Sequence, residues 1–183
     1  YSNGGGTIIS PDKTVTINND KAAEAINRAA SWIGEISPPG VTGMKEEDAR
    51  KMWQGGHAAF MRNWPYVYAL AKEKGSAVKG KFGVAALPNG DSGHGAATLG
   101  GWQLSVSKYS KHKELAAEFA MFLTSKKIQK MRAIEGSFNP TIKSLYKDKE
   151  VLKENPFFKD LYSVFTNAVP RPSTPTSPNY NKV

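Results

Sequence analysis

Short apolar segments alternate with longer amphipathic ones along nearly the whole of this 183-residue chain, and that alternation excludes a helical bundle or a β-sandwich and predicts an α/β protein. Ala22, Ile26, Ala29, Ala30 and Ile33 fall at helical spacing, with N-caps on offer at Asn18, Asn19 and Asp20 and a stop at Ser37-Pro38-Pro39-Gly40. A second helix is predicted from Lys45 to Gln54: its acidic start at Glu46, Glu47 and Asp48 suits the positive helix end, and Gly55-Gly56 terminates it. Leu115, Phe119, Phe122 and Leu123 mark a strongly amphipathic helix over 111–124. Ser125 starts another that ends near Gly136, and Phe157, Leu161 and Phe165 line one more after Pro156. Between them, Thr7 to Ile17 reads as a short extended pair turning at Ser10-Pro11-Asp12-Lys13. Ala58–Arg62, Phe82–Pro88 and Trp102–Val106 read as strands, the first of them buried, and 89–100 as a Gly-rich loop. Asn139-Pro140-Thr141 is a turn, and the Pro-rich stretch Pro170 to Pro178 is extended.

Composition narrows the functional classes. With 39% hydrophobic residues the chain can bury a core as one large domain or two small lobes. Cysteine is absent, which removes disulfides, thiolate metal sites and a catalytic thiol. No run approaches the roughly eighteen apolar residues of a membrane span. The start, Tyr-Ser-Asn-Gly-Gly-Gly, carries neither an initiator Met nor a signal peptide, so the chain is expected to be processed or cut from something longer. A net charge of +9 raises the possibility of a polyanionic partner, but the lysine groups are mixed with Glu114, Glu118 and Glu135 and read as a solvated surface.

The catalytic-looking motifs are weak. Gly90-Asp91-Ser92-Gly93-His94-Gly95 contains a Gly-Asp-Ser-Gly string, but a hydrolase elbow needs Gly-x-Ser-x-Gly and a trypsin-like site needs a fold of many antiparallel strands. It is read as a flexible glycine-rich loop. His57, His94 and His112 lack the spacing of a metal site, Glu114 and Glu118 face solvent on their helix, and Gly4-Gly5-Gly6 lacks the end of a phosphate loop. No catalytic residue, metal or cofactor is predicted.

The binding signal is aromatic. Met61-Arg-Asn-Trp-Pro-Tyr-Val-Tyr68 packs three rings and an Asn around Pro65, which favours a first helical position and sets Asn63 and Trp64 at a strand-to-helix junction. Ring faces beside polar groups and helix-terminal N–H donors suit a ligand with flat apolar faces and a hydroxyl-rich edge, which describes a sugar. Trp64 and Trp102, at element boundaries beside Asn, Pro or Gly, are predicted to face a ligand. Trp32 and Trp53 lie in helices near apolar positions and are predicted to pack. Tyr66, at a helix start, is placed to point either way.

Ala58-Ala59-Phe60-Met61 running into Asn63-Trp64-Pro65-Tyr66, then Phe82-Gly83-Val84 through Leu87-Pro88, then Gly100-Gly101-Trp102-Gln103-Leu104-Ser105-Val106-Ser107-Lys108, resembles the extracellular solute-binding proteins of bacterial ABC sugar importers. Ser110-Lys111 with Glu114–Phe119 and Phe122–Ser125, Asn139-Pro140-Thr141, and Arg171-Pro172 up to Tyr180 keep the family's order, with the trehalose/maltose-binding branch most similar. The resemblance implies a periplasmic-binding-protein type II architecture, two α/β lobes closing on a sugar, only partly represented here because the family is about twice as long; the chain corresponds to a C-terminal-half fragment. It implies residues 1–81 in the C-terminal lobe, 82–88 as a crossover strand, 89–123 in the N-terminal lobe and 124–183 back in the C-terminal lobe. It also implies a sugar stacked on Trp64 or Tyr66 beside Asn63, a second wall at Gly101 and Trp102, and hydroxyl bonding by Arg171. The expected protein is not an enzyme. It is a receptor, monomeric when full-length, in the periplasm or on the outer face of the cytoplasmic membrane, handing a sugar to ABC permease subunits and binding no nucleic acid. A carbohydrate-active enzyme and a basic polyanion-binding module are the rivals.

Overall fold

The computed structural model describes residues 1–90, 92–93 and 95–173. Asp91 and His94 of the Gly-Asp-Ser-Gly loop, and the Pro-rich stretch from Thr174 on, lie outside the described residues. The chain divides into two compact units, one of Tyr1–Thr42, Ala86–Gly100 and residues from Val164 on, the other of Gly43–Ala85 and Gly101–Ser163. The divisions fall at 42/43, 85/86, 100/101 and 163/164.

The first unit opens on a turn closed by one antiparallel bridge, Ile9 to Val15, with Lys13 in the left-handed region at φ 71°. Helix α1 follows over Asp20–Ser31, and Asn19 caps it by accepting from the Ala22 N–H at 3.0 Å. None of α1 is buried: Ile26 is exposed, and Trp32, just past the helix end, is 44% exposed rather than packed as expected. The apolar period of α1 is real, but among the described residues none of it is buried. The sheet is one parallel pair, β1 (Thr98–Leu99) against β2 (Val169–Pro170). Gly90 passes so close to Ser2 that a Cβ would lie 2.4 Å from its carbonyl oxygen, so only glycine fits. Ser92 donates to that same carbonyl at 2.7 Å, which ties this hydroxyl to the backbone in keeping with a structural loop.

The second unit holds the core. Its helices are α2 (Glu46–Gln54), α3 (Val67–Ala71), α4 (Lys113–Leu123), α5 (Lys126–Gly136) and α6 (Lys149–Glu154), a 3-10 turn at Lys143–Lys147, and the start of α7 (Phe158–Thr166). Trp53 is buried with Val67 and Ala71, surrounded by Ala58, Met61, Tyr66, Val78 and Phe82. A second cluster buries Ala133, Leu145, Tyr146, Val151 and Phe158. Rings join the two: Trp53 meets Phe82 at 5.3 Å, Phe82 meets Tyr68 at 5.3 Å, Tyr68 meets Phe157 at 4.6 Å, and Phe157 meets Phe158 at 4.9 Å. Asn155, buried, donates to the Ala133 carbonyl at 2.7 Å and accepts from the Ser137 hydroxyl, pinning the end of α5 where Ser137 takes the left-handed φ of 53°.

The helices expected at 45–54, 111–124 and 125–136 form close to those bounds, and Ser125 caps α5 through the Ile128 N–H. The strands differ. Ala58–Arg62 is unpaired and bends at Ala59, with Phe60 94% exposed instead of buried, and neither 82–88 nor 102–106 pairs with another strand among the described residues. A strand exists only with a neighbour to bond its backbone, and the described residues offer these segments none. The 3-10 turn and α6 were not expected, because Lys-rich 143–154 carries few apolar residues. On α4 no residue is buried: Leu115, Phe119, Met121 and Phe122 are all more than half exposed, although α4 packs against α5.

Candidate sugar platform

Pro65 sits two residues before α3 rather than inside it. The turn begins with Val67 N–H donating to the Trp64 carbonyl at 3.2 Å and Tyr68 N–H to that of Pro65 at 3.0 Å, and α3 proper runs only from Val67 to Ala71. The helix ends at Ala71: Lys72 and Glu73 bond three residues back, and Gly75 turns the chain at φ 95°. The short, tight helix leaves the Trp64 ring at its N-terminal edge, 44% exposed, while Tyr66 is half-buried.

Both ends of this junction are fastened to α2. At one end, Asn63 Nδ2 donates to the Glu46 carbonyl at 2.8 Å, and its Oδ1 accepts from the Trp64 N–H at 2.8 Å. At the other, the Tyr66 hydroxyl donates to Glu47 Oε1 at 2.5 Å. Glu47 Oε2 accepts from Arg50 Nε at 2.9 Å and from Nη2 at 2.7 Å, Arg50 Nη1 donates to Gln54 Oε1, and Gln54 Nε2 donates to the Leu70 carbonyl at 2.8 Å, closing a polar run from α2 to α3. The Tyr66 ring lies nearly parallel to Phe138, 6.3 Å between centroids and 19° between planes, and Arg132 sits 4.8 Å over the Phe138 ring.

The electrostatics follow from these contacts. Arg50's hydrogen bonds, and then the Tyr66 hydroxyl, hold the Glu47 carboxyl down to about 2. Burial, and then the bond to the carboxylate, push the Tyr66 phenol up to about 12. At neutral pH the pair is therefore a charged acceptor and a neutral donor, the stronger kind of hydrogen bond.

Asn63, Trp64 and Tyr66 thus come together, but Asn63 spends its amide on the backbone and Tyr66 its proton on Glu47, leaving the rings as the free recognition surface. Gly101 and Trp102 lie in the same unit on an extended segment; Trp102 is fully exposed, and a Cβ at Gly101 would meet nothing within 4 Å. Arg171 belongs to the other unit, exposed, just after β2. Glu47, Arg50, Gln54, Phe138 and Arg132 were not singled out from the sequence. The available signal was the 47, 50, 54 spacing, which sets three polar side chains on one face of α2. Among the described residues no three His, Cys, Asp or Glu side chains converge as a metal site would require, and no helix is long and apolar enough to cross a membrane.

Residues 1–130 match the family described as bacterial extracellular solute-binding protein. A probable ABC transporter-binding protein of Deinococcus radiodurans is 54% identical over 180 residues, 98% of this chain and 43% of that protein. The chain belongs to this family. T. maritima MalE3, solved with maltose bound, superposes with a TM-score of 0.91 at 42% identity over 99% of this chain and 46% of that one. An ABC transporter solute-binding protein from Agrobacterium radiobacter K84, solved with ribitol, gives a TM-score of 0.78 at 24% identity, covering 89% of this chain and 42% of that one, a likeness of fold. The chain therefore spans less than half the length of the relatives it matches. Its fold is the α/β periplasmic-binding-protein architecture, partly represented and rich in helix, and its family is one of transport proteins.

Proposed function

We propose that this chain is part of a carbohydrate receptor of an ABC importer, which holds a disaccharide or oligosaccharide between two lobes and delivers it to membrane permease subunits outside the cytoplasm. The observation that carries the reading is the half-exposed Trp64 ring held at a junction fastened to α2 at both ends. A flat apolar face fixed beside polar groups is what a sugar ring stacks on. The likeness to a maltose-bound protein supports the ligand class. Residues 1–81 and 124–183 belong to the C-terminal lobe and 89–123 to the N-terminal lobe, with the chain crossing over residues 82–88. Trp64 and Tyr66 supply one wall, Gly101 and Trp102 further contacts, Asn63 a remaining Oδ1 lone pair, and Arg171 hydrogen bonds to hydroxyls. The protein acts without catalysis and as a monomer.

Calorimetric titration of the full-length protein that carries this chain, with maltose, trehalose and longer glucosides, tests the reading. Saturable one-to-one binding of at least one sugar is expected. Hydrolysis of a chromogenic glycoside, or binding only to polyanions with steep salt dependence, would replace it by one of the rivals.

A further inference from the structure

We propose that Glu47 is a positioning residue for the sugar platform: by accepting from the Tyr66 hydroxyl while gripped by Arg50, it fixes the Tyr66 ring against Phe138 and holds the Trp64 face ready before sugar arrives. The inference rests on the proposed sugar-receptor reading and assigns a role within that same site.

The carboxylate divides its oxygens between two tasks. Oε1 takes the phenol proton, and Oε2 takes two N–H groups of the Arg50 fork, so the carboxylate cannot rotate without breaking a charge-assisted bond. Arg50 is itself held by Gln54, and Gln54 by the Leu70 carbonyl, which ties the carboxylate to the body of α3, on the far side of the junction. Tyr66 has one ring face toward Phe138. With its hydroxyl committed as a donor to Glu47, it presents carbon and no free proton to a ligand.

Without an acceptor at this position the Tyr66 side chain would be free to turn about χ1. Ordering such a side chain on binding weakens affinity by about three- to tenfold. Glu47 is nearly half exposed, so its removal touches little packing and its effect on folding is small.

The test is a double-mutant cycle in the full-length protein, with maltose as titrant in calorimetry and χ1 couplings of β-carbon-labelled tyrosine by NMR as a second readout without sugar. Glu47→Ala and Tyr66→Phe are each expected to weaken maltose binding about three- to tenfold, the double variant to be no weaker than the worse single one, and Glu47→Gln, which still accepts from the phenol, to recover most of the loss. In NMR the Tyr66 side chain should hold a single χ1 rotamer in the wild type and average between rotamers in Glu47→Ala. Additive losses in the cycle, or χ1 averaging unchanged by Glu47→Ala, overturn the proposal. If maltose and the other glucosides bind to no variant and not to the wild type, the receptor reading fails; the χ1 averaging then still decides whether Glu47 fixes the ring.

Discussion

Replacing Trp64 by alanine removes the one large ring of the junction that the structure leaves half open. A tryptophan side chain offers roughly 250 Å². With 44% of it accessible, a stacked sugar can cover somewhere between half and all of about 110 Å². At about 25 cal/mol per Å² this contributes roughly 1.4–2.8 kcal/mol, a ten- to hundredfold change in dissociation constant. Base–aromatic stacking, at about 1–3 kcal/mol per ring, gives the same range. The buried half of the ring also supports the fold, so Trp64→Ala lowers the thermal midpoint as well, and affinity must be read at a temperature where the variant is fully folded. Trp64→Phe separates the two effects, since it keeps a ring face while losing packing volume. Calorimetry with maltose at 25 °C on both variants, beside their melting curves, is the assay. A folded Trp64→Ala protein that binds within twofold of the wild type would refute the stacking argument and leave Tyr66 or Trp102 as the platform.

Three further outcomes are expected. Asn155→Leu leaves the buried Ser137 hydroxyl without its acceptor and strips the Ala133 carbonyl of a bond, so urea unfolding should register a loss of about 2–4 kcal/mol, and a loss under about 0.5 would show the clamp to be idle. The Glu47 carboxyl is held at about 2 in the fold against 4.5 ordinarily, so its contribution is present above about pH 4.5 and fades as pH falls toward 2; the gap in melting temperature between wild type and Glu47→Gln should close over that window, and a gap constant with pH would contradict the sign. Met121→Glu on the exposed face of α4 should cost less than about 0.5 kcal/mol while reducing binding of a hydrophobic dye to this chain, and a large destabilisation would mean that the face is packed.

Helix ends were legible because their causes are local. Asn19 and Ser125 cap by bonding N–H groups three residues on, and the proline and glycine stops act within a turn. Strands were not legible, since pairing is a property of two segments. Trp102–Val106 alternates as a strand should and pairs with nothing described, while the parallel pair that does form joins Thr98–Leu99, inside a glycine-rich stretch, to Val169–Pro170, inside a proline-rich one. The 3-10 turn and α6 hid for another reason: the buried Leu145, Tyr146 and Val151 lie among lysines, with too few apolar neighbours to show a period.

The candidate site divides the same way. Trp64 could be found because Pro65 beside it fixes the backbone, and an aromatic next to a fixed turn is conspicuous in any sequence. Glu47 could not, because an acid in the first turn of a helix is already accounted for by the helix dipole. That account is incomplete here. Glu46, Glu47 and Asp48 all satisfy it, yet their side chains diverge: Asp48 turns back to cap the Lys45 N–H at 3.0 Å, whereas Glu47 reaches across to Tyr66, nineteen residues on. Only the second contact reaches the Trp64–Tyr66 junction, and it does so through a hydroxyl that sequence reasoning would assign to the ligand. If Glu47 positions the platform as proposed, the carboxylate that matters to the sugar is one that need never touch it.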